Sequence, residues 1–504
     1  MTHRAPLRTI WTVRGRDNEY ARLRGPPHIQ FEMQMTRGQN LASDRDGDHG
    51  SILVLAVLAL IVGAVSGFVG ALFLLLLERA DKFRDALIVW AHSKAFAGFL
   101  VVSIACAAGA GVAAWLVCRY SPHASGSGIP HVEAVLNEDL PQAPFRIIPV
   151  KFVAGVLAIG SGLALGREGP TVQMAATIGH LIGKEFRRGW PDCRVLLAAG
   201  AGAGLATAFN APIAGAIFVL EELVRRFELR VAIAALGASA TAISVSRVLL
   251  GDAADFHVGA LAYADAATRP LYFVLGAVAG LTAIVYNRLL LGTIATIRQL
   301  DRWPVELRAG LIGGAVGMLA WFAPDLVGGG DPITQRTLVG AGTLGLLPLV
   351  FLLRLGLGAI SYAAGTPGGL FAPMLVLGAQ LGLFFGQLCQ LVFPDLNIQP
   401  EGFAVVGMAA FFVGVVRAPL TGIVLVVEMT ANVTMLLPML GACFMAMLVP
   451  TLMQDPPIYD SLRELTLERE RTRLKQAETA DAGRSTTSLR TEDKPGRSIN
   501  DPPA

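Results

Sequence analysis

Ala211-Pro-Ile-Ala-Gly-Ala-Ile-Phe-Val-Leu-Glu221 and Ala418-Pro-Leu-Thr-Gly-Ile-Val-Leu-Val-Val-Glu428 read against each other at a constant offset, with Pro, Gly and Glu in register. Upstream of each copy, at near-equal spacing, stands a second matched element: Gly166-Arg-Glu-Gly-Pro170 in the first half and Gly369-Leu-Phe-Ala-Pro373 in the second. Two halves, each with a Gly-x-x-x-Pro turn followed by an Ala-Pro helix, describe a duplicated transporter unit. Ala-Pro-x-x-Gly also recurs by chance in an Ala/Gly/Leu-rich chain, but order and spacing of two elements together outweigh that reading.

The surrounding composition fits a bilayer. Residues 51–459 hold 24 Lys/Arg and 23 Asp/Glu in 409 positions, whereas the two ends are densely charged. A water-soluble enzyme is thereby excluded. A span needs about 20 apolar residues, and Ile52 to Leu77 supplies them without a charge. Further runs cover Phe96–Cys118, Ile147–Gly166, Val195–Leu220, Val231–Leu250, Leu271–Leu291, Leu307–Phe322, Leu338–Tyr362, Phe371–Phe393, Phe403–Val427 and Val433–Met453. The expected fold class is an all-α polytopic membrane protein. Many runs carry Gly or Pro near their middle, which predicts broken helices rather than a plain bundle.

Gly126-Ser-Gly-Ile-Pro130 is a third turn of the same kind. Glycine allows a tight turn, and a proline at the first helical position leaves neighbouring amides pointing outward. A helix starting this way inside a membrane presents unpaired N–H groups and the positive end of its dipole, which together suit an anion. One such motif is more often a plain helix cap. Three of them converging would replace an anion's hydration shell without a buried cation.

Ionisable residues at membrane depth read as functional by default. Glu168 lies in the second turn, where its carboxylate could occupy the anion's own site and act as a gate; a locally satisfied cap is the alternative. Glu221 aligns with Glu428 and so carries a shared structural role, whereas Glu222 aligns with Met429 and departs from the symmetry. An ion pair of this acidic doublet with Arg225 and Arg226 competes with a functional role. Lys151 would raise the local potential for anions, or pair internally with Glu133.

Other chemistries find little support. The net charge of +3 and the lack of a basic-aromatic stretch argue against nucleic acid. Cys106, Cys118, Cys193, Cys389 and Cys443 show no CxxC spacing and read as buried free thiols; no HExxH provides a metal site. No cofactor is expected. An intramembrane serine protease built on Ser127 or Ser161 lacks a plausible base, since His180 leads into the polar stretch Lys184 to Arg188.

Residues 1–50 form a polar, Arg-rich tail expected to be disordered, with an internal start at Met33 or Met35 suspected. The transmembrane domain is read as 51–459, with repeat halves of about 51–250 and 270–459. A cytosolic helix over 460–476 and a disordered tail over 477–504 follow, leaving no room for a cytosolic regulatory domain.

The three turns and the late Tyr459, in Pro-Ile-Tyr-Asp-Ser-Leu, stand in the order and at the separations of the CLC family of chloride channels and chloride/proton antiporters. The chain resembles the bacterial antiporters without regulatory domains over about residues 51–475. The resemblance implies a homodimer whose subunits each hold two inverted-topology repeats, tilted broken helices and an anion pathway. It implies that the hydroxyls of Ser127 and Tyr459 and the amides of Leu370 and Phe371 coordinate a central chloride. Glu168 then matches the external gate and proton acceptor, with the Gly169 amide at the outer site, and Glu222 the internal proton relay. The implied function is exchange of chloride for protons across a bacterial inner membrane, with both termini cytoplasmic; a passive gated chloride channel is the alternative. Leu370 departs from a common isoleucine but would contribute only backbone, and the long N-terminal tail is not a family feature.

Overall fold

The computed structural model describes residues 45–300 and 302–472. Of the tail expected over 1–50, residues 1–44, with the suspected internal start, lie outside the described residues, whereas 45–50 are the first residues of a helix, Arg45–His92, rather than disordered; the tail expected over 477–504 also lies outside the described residues. Val54 closes a short N-terminal unit of which the described residues, 45–54, are helical; a second unit runs from Leu55. Among the described residues there are helices and two isolated bridges, with no sheet.

Eight helices occur twice, in the same order. The first set is Arg45–His92, Ala95–Tyr120, Ile129–Leu136, Ile147–Gly160, Glu168–Glu185, Trp190–Phe209, Pro212–Phe218 and Leu229–Leu250. The second is Arg269–Arg298, Val305–Phe322, Asp331–Leu338, Leu347–Ala363, Phe371–Val392, Pro400–Val416, Pro419–Thr430 and Leu436–Leu452. A last helix covers 458–472. Among the described residues, seven helices are long and apolar enough to cross a membrane, and five more apolar ones have 10–17 residues. The runs read as Val195–Leu220 and Phe403–Val427 are each split, at Asn210 and Arg417, both in left-handed backbone (φ +48° and +73°) just before an Ala-Pro pair. Proline's ring and the restriction on the residue before it stop the helix there.

The halves meet through counterpart elements, as an approximate two-fold relation between them requires. Ala95–Tyr120 packs on its own counterpart Val305–Phe322, and Pro212–Phe218 on Pro419–Thr430. At the second of these contacts the Glu221 carboxylate accepts from the Leu420 and Thr421 amides at 3.0 and 2.7 Å and from the Thr421 hydroxyl at 2.7 Å. In return, Glu428 accepts from the Ile213 and Ala214 amides at 3.1 and 2.7 Å. Each carboxylate at a helix C-terminus satisfies the orphan donors of its partner's N-terminus, the reciprocity an isologous contact requires. Lipid offers no substitute for these hydrogen bonds.

Glu221→Ala should therefore lower the thermal stability of the detergent-solubilised protein, by on the order of 2–3 kcal/mol for charge-assisted bonds left unmade. Loss of the monodisperse peak at a lower temperature in gel filtration reads this out; an unchanged midpoint would show that the cap contributes nothing.

Close packing is set by small residues, as membrane helices favour. In each half the helix that starts at the second turn lies against the next one through glycine: a Cβ on Gly204 would sit 2.5 Å from the Thr171 carbonyl, and one on Gly378 would sit 2.5 Å from that of Gly407. This fixes where Glu168–Glu185 and Phe371–Val392 point their N-termini.

Candidate anion and proton site

The three glycine turns meet at one place. Gly126 bridges to Pro367, its amide donating to the Thr366 carbonyl at 3.1 Å while its carbonyl accepts from Gly368 at 3.2 Å. Gly166 and Gly369 exchange both backbone hydrogen bonds, at 2.9 and 2.7 Å, as an antiparallel pair. The second turn of one half is thus laid against its counterpart, and the helices Ile129–Leu136, Glu168–Glu185 and Phe371–Val392 begin around a common point. Gly126 and Gly128 hold φ of +65° and +85°, conformations that favour glycine. The expected position of proline needs correction in all three turns. Pro130 is the second residue of its helix, and Pro170 and Pro373 are the third residues of theirs. Any of the first four positions lacks an intrahelical amide bond, so proline is tolerated at each of them.

Glu168 is fully buried at this junction. Its Oε1 accepts from the Phe371 amide at 2.6 Å, while Oε2 has no hydrogen-bond partner. A Cβ on Gly166 or Gly369 would collide with this carboxylate, so both glycines are needed to admit it. Ser127 and Tyr459 are fully buried, and neither the Ser127 Oγ nor the Tyr459 hydroxyl has a partner. The Tyr459 ring lies 6.0 Å from that of Phe371, and a Cβ on Gly169 would fall 2.7 Å from the Ser127 Oγ. The structure therefore brings Ser127, Glu168, Gly169, Leu370, Phe371 and Tyr459 together. Buried hydroxyls cost free energy unless something accepts from or donates to them. Two unpartnered hydroxyls beside helix-start amides form a cradle of donors, without a full positive charge among its lining groups.

Glu222 stands apart from that cradle. The helix from Pro212 turns at Val219–Leu223 into a π-helical segment, where its counterpart Pro419–Thr430 stays α-helical. With Glu221 on the contact between the halves, the wider π turn carries Glu222 inward, to 3% exposure, toward Arg225, Glu133 and Asp460. The asymmetry legible in the sequence is thus a change of helix type.

Lys151 does not pair with Glu133. Its Nζ donates to the Gly126 and Ser127 carbonyls at 2.9 and 3.1 Å and to Gln173 Oε1 at 2.5 Å, bracing the first turn from behind. Glu133 instead receives Arg463 at 2.6 Å and Arg225 at 3.4 Å. The Tyr362 hydroxyl, which sequence reasoning did not single out, accepts from the Ser127 amide at 3.4 Å.

A fourth turn also escaped notice. Gly328-Gly-Gly-Asp-Pro332 is the counterpart of Gly126-Ser-Gly-Ile-Pro130; Gly330 has φ +97°, and an eight-residue helix follows. Arg354 clamps its carbonyls, those of Gly328 and Gly329 at 2.9 and 3.1 Å, much as Lys151 clamps the first turn. This turn does not join the cradle: its Asp331 and the linker residue Asp255 hold Arg167, at 3.5 and 2.9 Å. Burial pushes the Asp255 carboxyl up from its usual range, against the pull of Arg167. Cys106, Cys193, Cys389 and Cys443 are buried, and Cys118 is exposed.

A family profile described as "Voltage gated chloride channel" matches residues 109–451. The chain belongs to the voltage-gated chloride channel family. It is 38% identical over 433 residues to the H(+)/Cl(-) exchange transporter ClcA of Yersinia pseudotuberculosis, covering 83% of this chain and 89% of that one. Against the transporter of the same name in Salmonella arizonae it is 37% identical over 426 residues, 83% and 90% of the two chains. Among solved structures, a slow cyanobacterial Cl-/H+ antiporter superposes with a TM-score of 0.79 at 32% identity, covering 83% of this chain and 99% of that one. The chain is accordingly a polytopic membrane protein of the CLC fold, with two inverted repeats and broken helices.

Proposed function

We propose that this protein is a secondary transporter that exchanges chloride for protons, with Glu168 as the group both ions contend for. The observation that carries the reading is the hydrogen bond from the Phe371 amide to Glu168 Oε1. The carboxylate holds a helix-start donor that a chloride would need, so anion and carboxylate exclude one another. When an anion displaces it, or a proton neutralises it, the path past Ser127, Gly169, Leu370, Phe371 and Tyr459 opens. Donors of this kind grip a halide without a full positive charge, so the ion can leave again. The relatives named as exchangers support the choice of ions.

Glu222 supplies the proton route. The anion path from the Ser127 and Tyr459 side offers hydroxyls and amides, and a second carboxylate off that path is required to hand a proton to Glu168. A passive channel of the same fold would have no use for a buried carboxylate placed by a π-helical turn.

No cofactor enters this account; chloride and protons are the transported ligands. The setting is a bacterial inner membrane with both termini cytoplasmic, in line with the bacterial relatives. The homodimer rests on the CLC resemblance, and cross-linking in native membranes tests it. The domain reading, 51–459 across the membrane with the 460–476 helix cytosolic, accompanies it.

The test is reconstitution into liposomes with chloride and proton fluxes recorded together: an outward chloride gradient should drive proton uptake, and chloride loss without proton movement would leave the channel reading. Two variants probe the cradle. Ser127→Pro should shift anion preference toward nitrate, and Tyr459→Ala should weaken chloride binding about tenfold, near the 1–1.5 kcal/mol of one lost hydrogen bond. Unchanged binding and selectivity in both would remove these residues from the site.

A further inference from the structure

Arg225 carries more contacts than a loop arginine needs, and it makes them from an unfavourable backbone. It follows the π-helical turn directly after Val224 and sits at φ +54°, a left-handed conformation that non-glycine residues seldom adopt. Such strain persists only where the surroundings hold it, and it clusters at functional sites. One nitrogen, Nη2, lies 2.6 Å from Asp460, 3.4 Å from Glu133 and 3.5 Å from Glu222, and Nε donates to the Glu222 carbonyl at 3.2 Å. Arg463 closes the cluster, 2.6 Å from Glu133 and 3.9 Å from Asp460. Three carboxylates therefore share two guanidinium groups. A cavity of about 520 Å3, lined by both arginines of the cluster, Arg225 and Arg463, together with Arg194, Arg226, Leu223 and Val224, opens on the cation side of the cluster.

The partners belong to elements far apart in the chain. Glu222 is on the π-helical turn, Glu133 on the helix that begins at the first glycine turn, and Asp460 in the first turn of the 458–472 helix, directly after Tyr459. We propose that Arg225 is a positioning residue for the exchange cycle, joining the charge on Glu222 to the placement of Tyr459 through Asp460. The inference rests on the roles proposed above for Glu222 and Tyr459.

While Glu222 is ionised, Arg225 is shared among three carboxylates. When Glu222 takes a proton it releases its share, and the guanidinium passes to Asp460 and Glu133. The first turn of the 458–472 helix is then held more firmly, with the Tyr459 hydroxyl fixed on the anion path while the proton travels on to Glu168. The charged groups facing Glu222 are Arg225, Glu133 and Asp460, with Arg463 behind them and Asp139 beyond Glu133.

Opposite neutralisations should act in opposite directions. Arg225→Gln removes the cation beside Glu222, so the pH midpoint of chloride-driven proton uptake should rise by about one unit. Asp460→Asn removes a competitor for that cation, so the midpoint should fall. Both variants should lower the proton-to-chloride ratio at least threefold while chloride flux persists, and Arg225→Lys should restore part of it. A merely structural clasp would reduce yield or stability without moving the midpoint in two directions.

The experiment measures both fluxes in liposomes for the wild type and the three variants. If the wild type fails to couple, the exchanger reading falls and this inference with it. If the wild type couples and either Arg225→Gln or Asp460→Asn leaves ratio and midpoint unchanged, or both midpoints move the same way, Arg225 has no such role. Should Arg225→Gln not assemble, the sign of the Asp460→Asn shift decides alone.

Discussion

Glu168→Gln should turn the protein into a passive chloride conductor. The amide side chain is neutral at every pH and close in size to the carboxyl, so it imitates the protonated gate. It can no longer hold the Phe371 amide as an anion does, a bond now 2.6 Å long and wholly buried. Charge-assisted hydrogen bonds are roughly twice as strong as neutral ones, so chloride should win that donor outright. Chloride flux should persist and lose its dependence on external pH, while proton uptake falls to the level of protein-free vesicles. A Gln variant that still moves protons against their gradient would show that another residue carries them.

Glu222→Gln should give the complementary result: chloride flux continues, and coupled proton movement disappears. The change keeps the buried side chain's size and its place on the π-helical turn, and removes only the titratable proton. Its neighbour supplies the control. Glu221 is engaged with the Leu420 and Thr421 amides on the two-fold contact, so Glu221→Gln should cost stability and leave the coupling ratio as it was. Proton uptake that persists in Glu222→Gln, or vanishes only in Glu221→Gln, would place the relay on the wrong carboxylate.

Much of this site is legible in the linear text because its parts are local. A glycine turn, a proline within the first helical turn and, in the first half, an acidic residue between them lie within five positions, and duplication prints the glycine and the proline again. The breaks at Asn210 and Arg417 are announced by the Ala-Pro pairs that follow. What escaped was what depends on long separations or on helix type. Nothing local says that Asp460 will meet Arg225, 235 positions away, or that Lys151 will turn from Glu133 to the Gly126 and Ser127 carbonyls. The fourth turn keeps its glycines but carries Asp331, and an acidic residue at a helix start reads as an ordinary cap until Arg167 is seen against it. The switch at Val219 from α to π is invisible to apolar periodicity, though the doubled glutamate, one repeated and one not, was its trace.

The central claim is that chloride and the Glu168 carboxylate compete for the same amides. Displacing the carboxylate from those donors removes what stabilises its charge, so chloride binding should draw a proton onto it. Proton uptake on adding chloride to the purified protein in weakly buffered detergent solution, near pH 7, measures this directly. The account predicts uptake approaching one proton per chloride bound in the wild type and none in Glu168→Gln. Chloride binding that takes up no proton in the wild type, or the same number in both proteins, would contradict it.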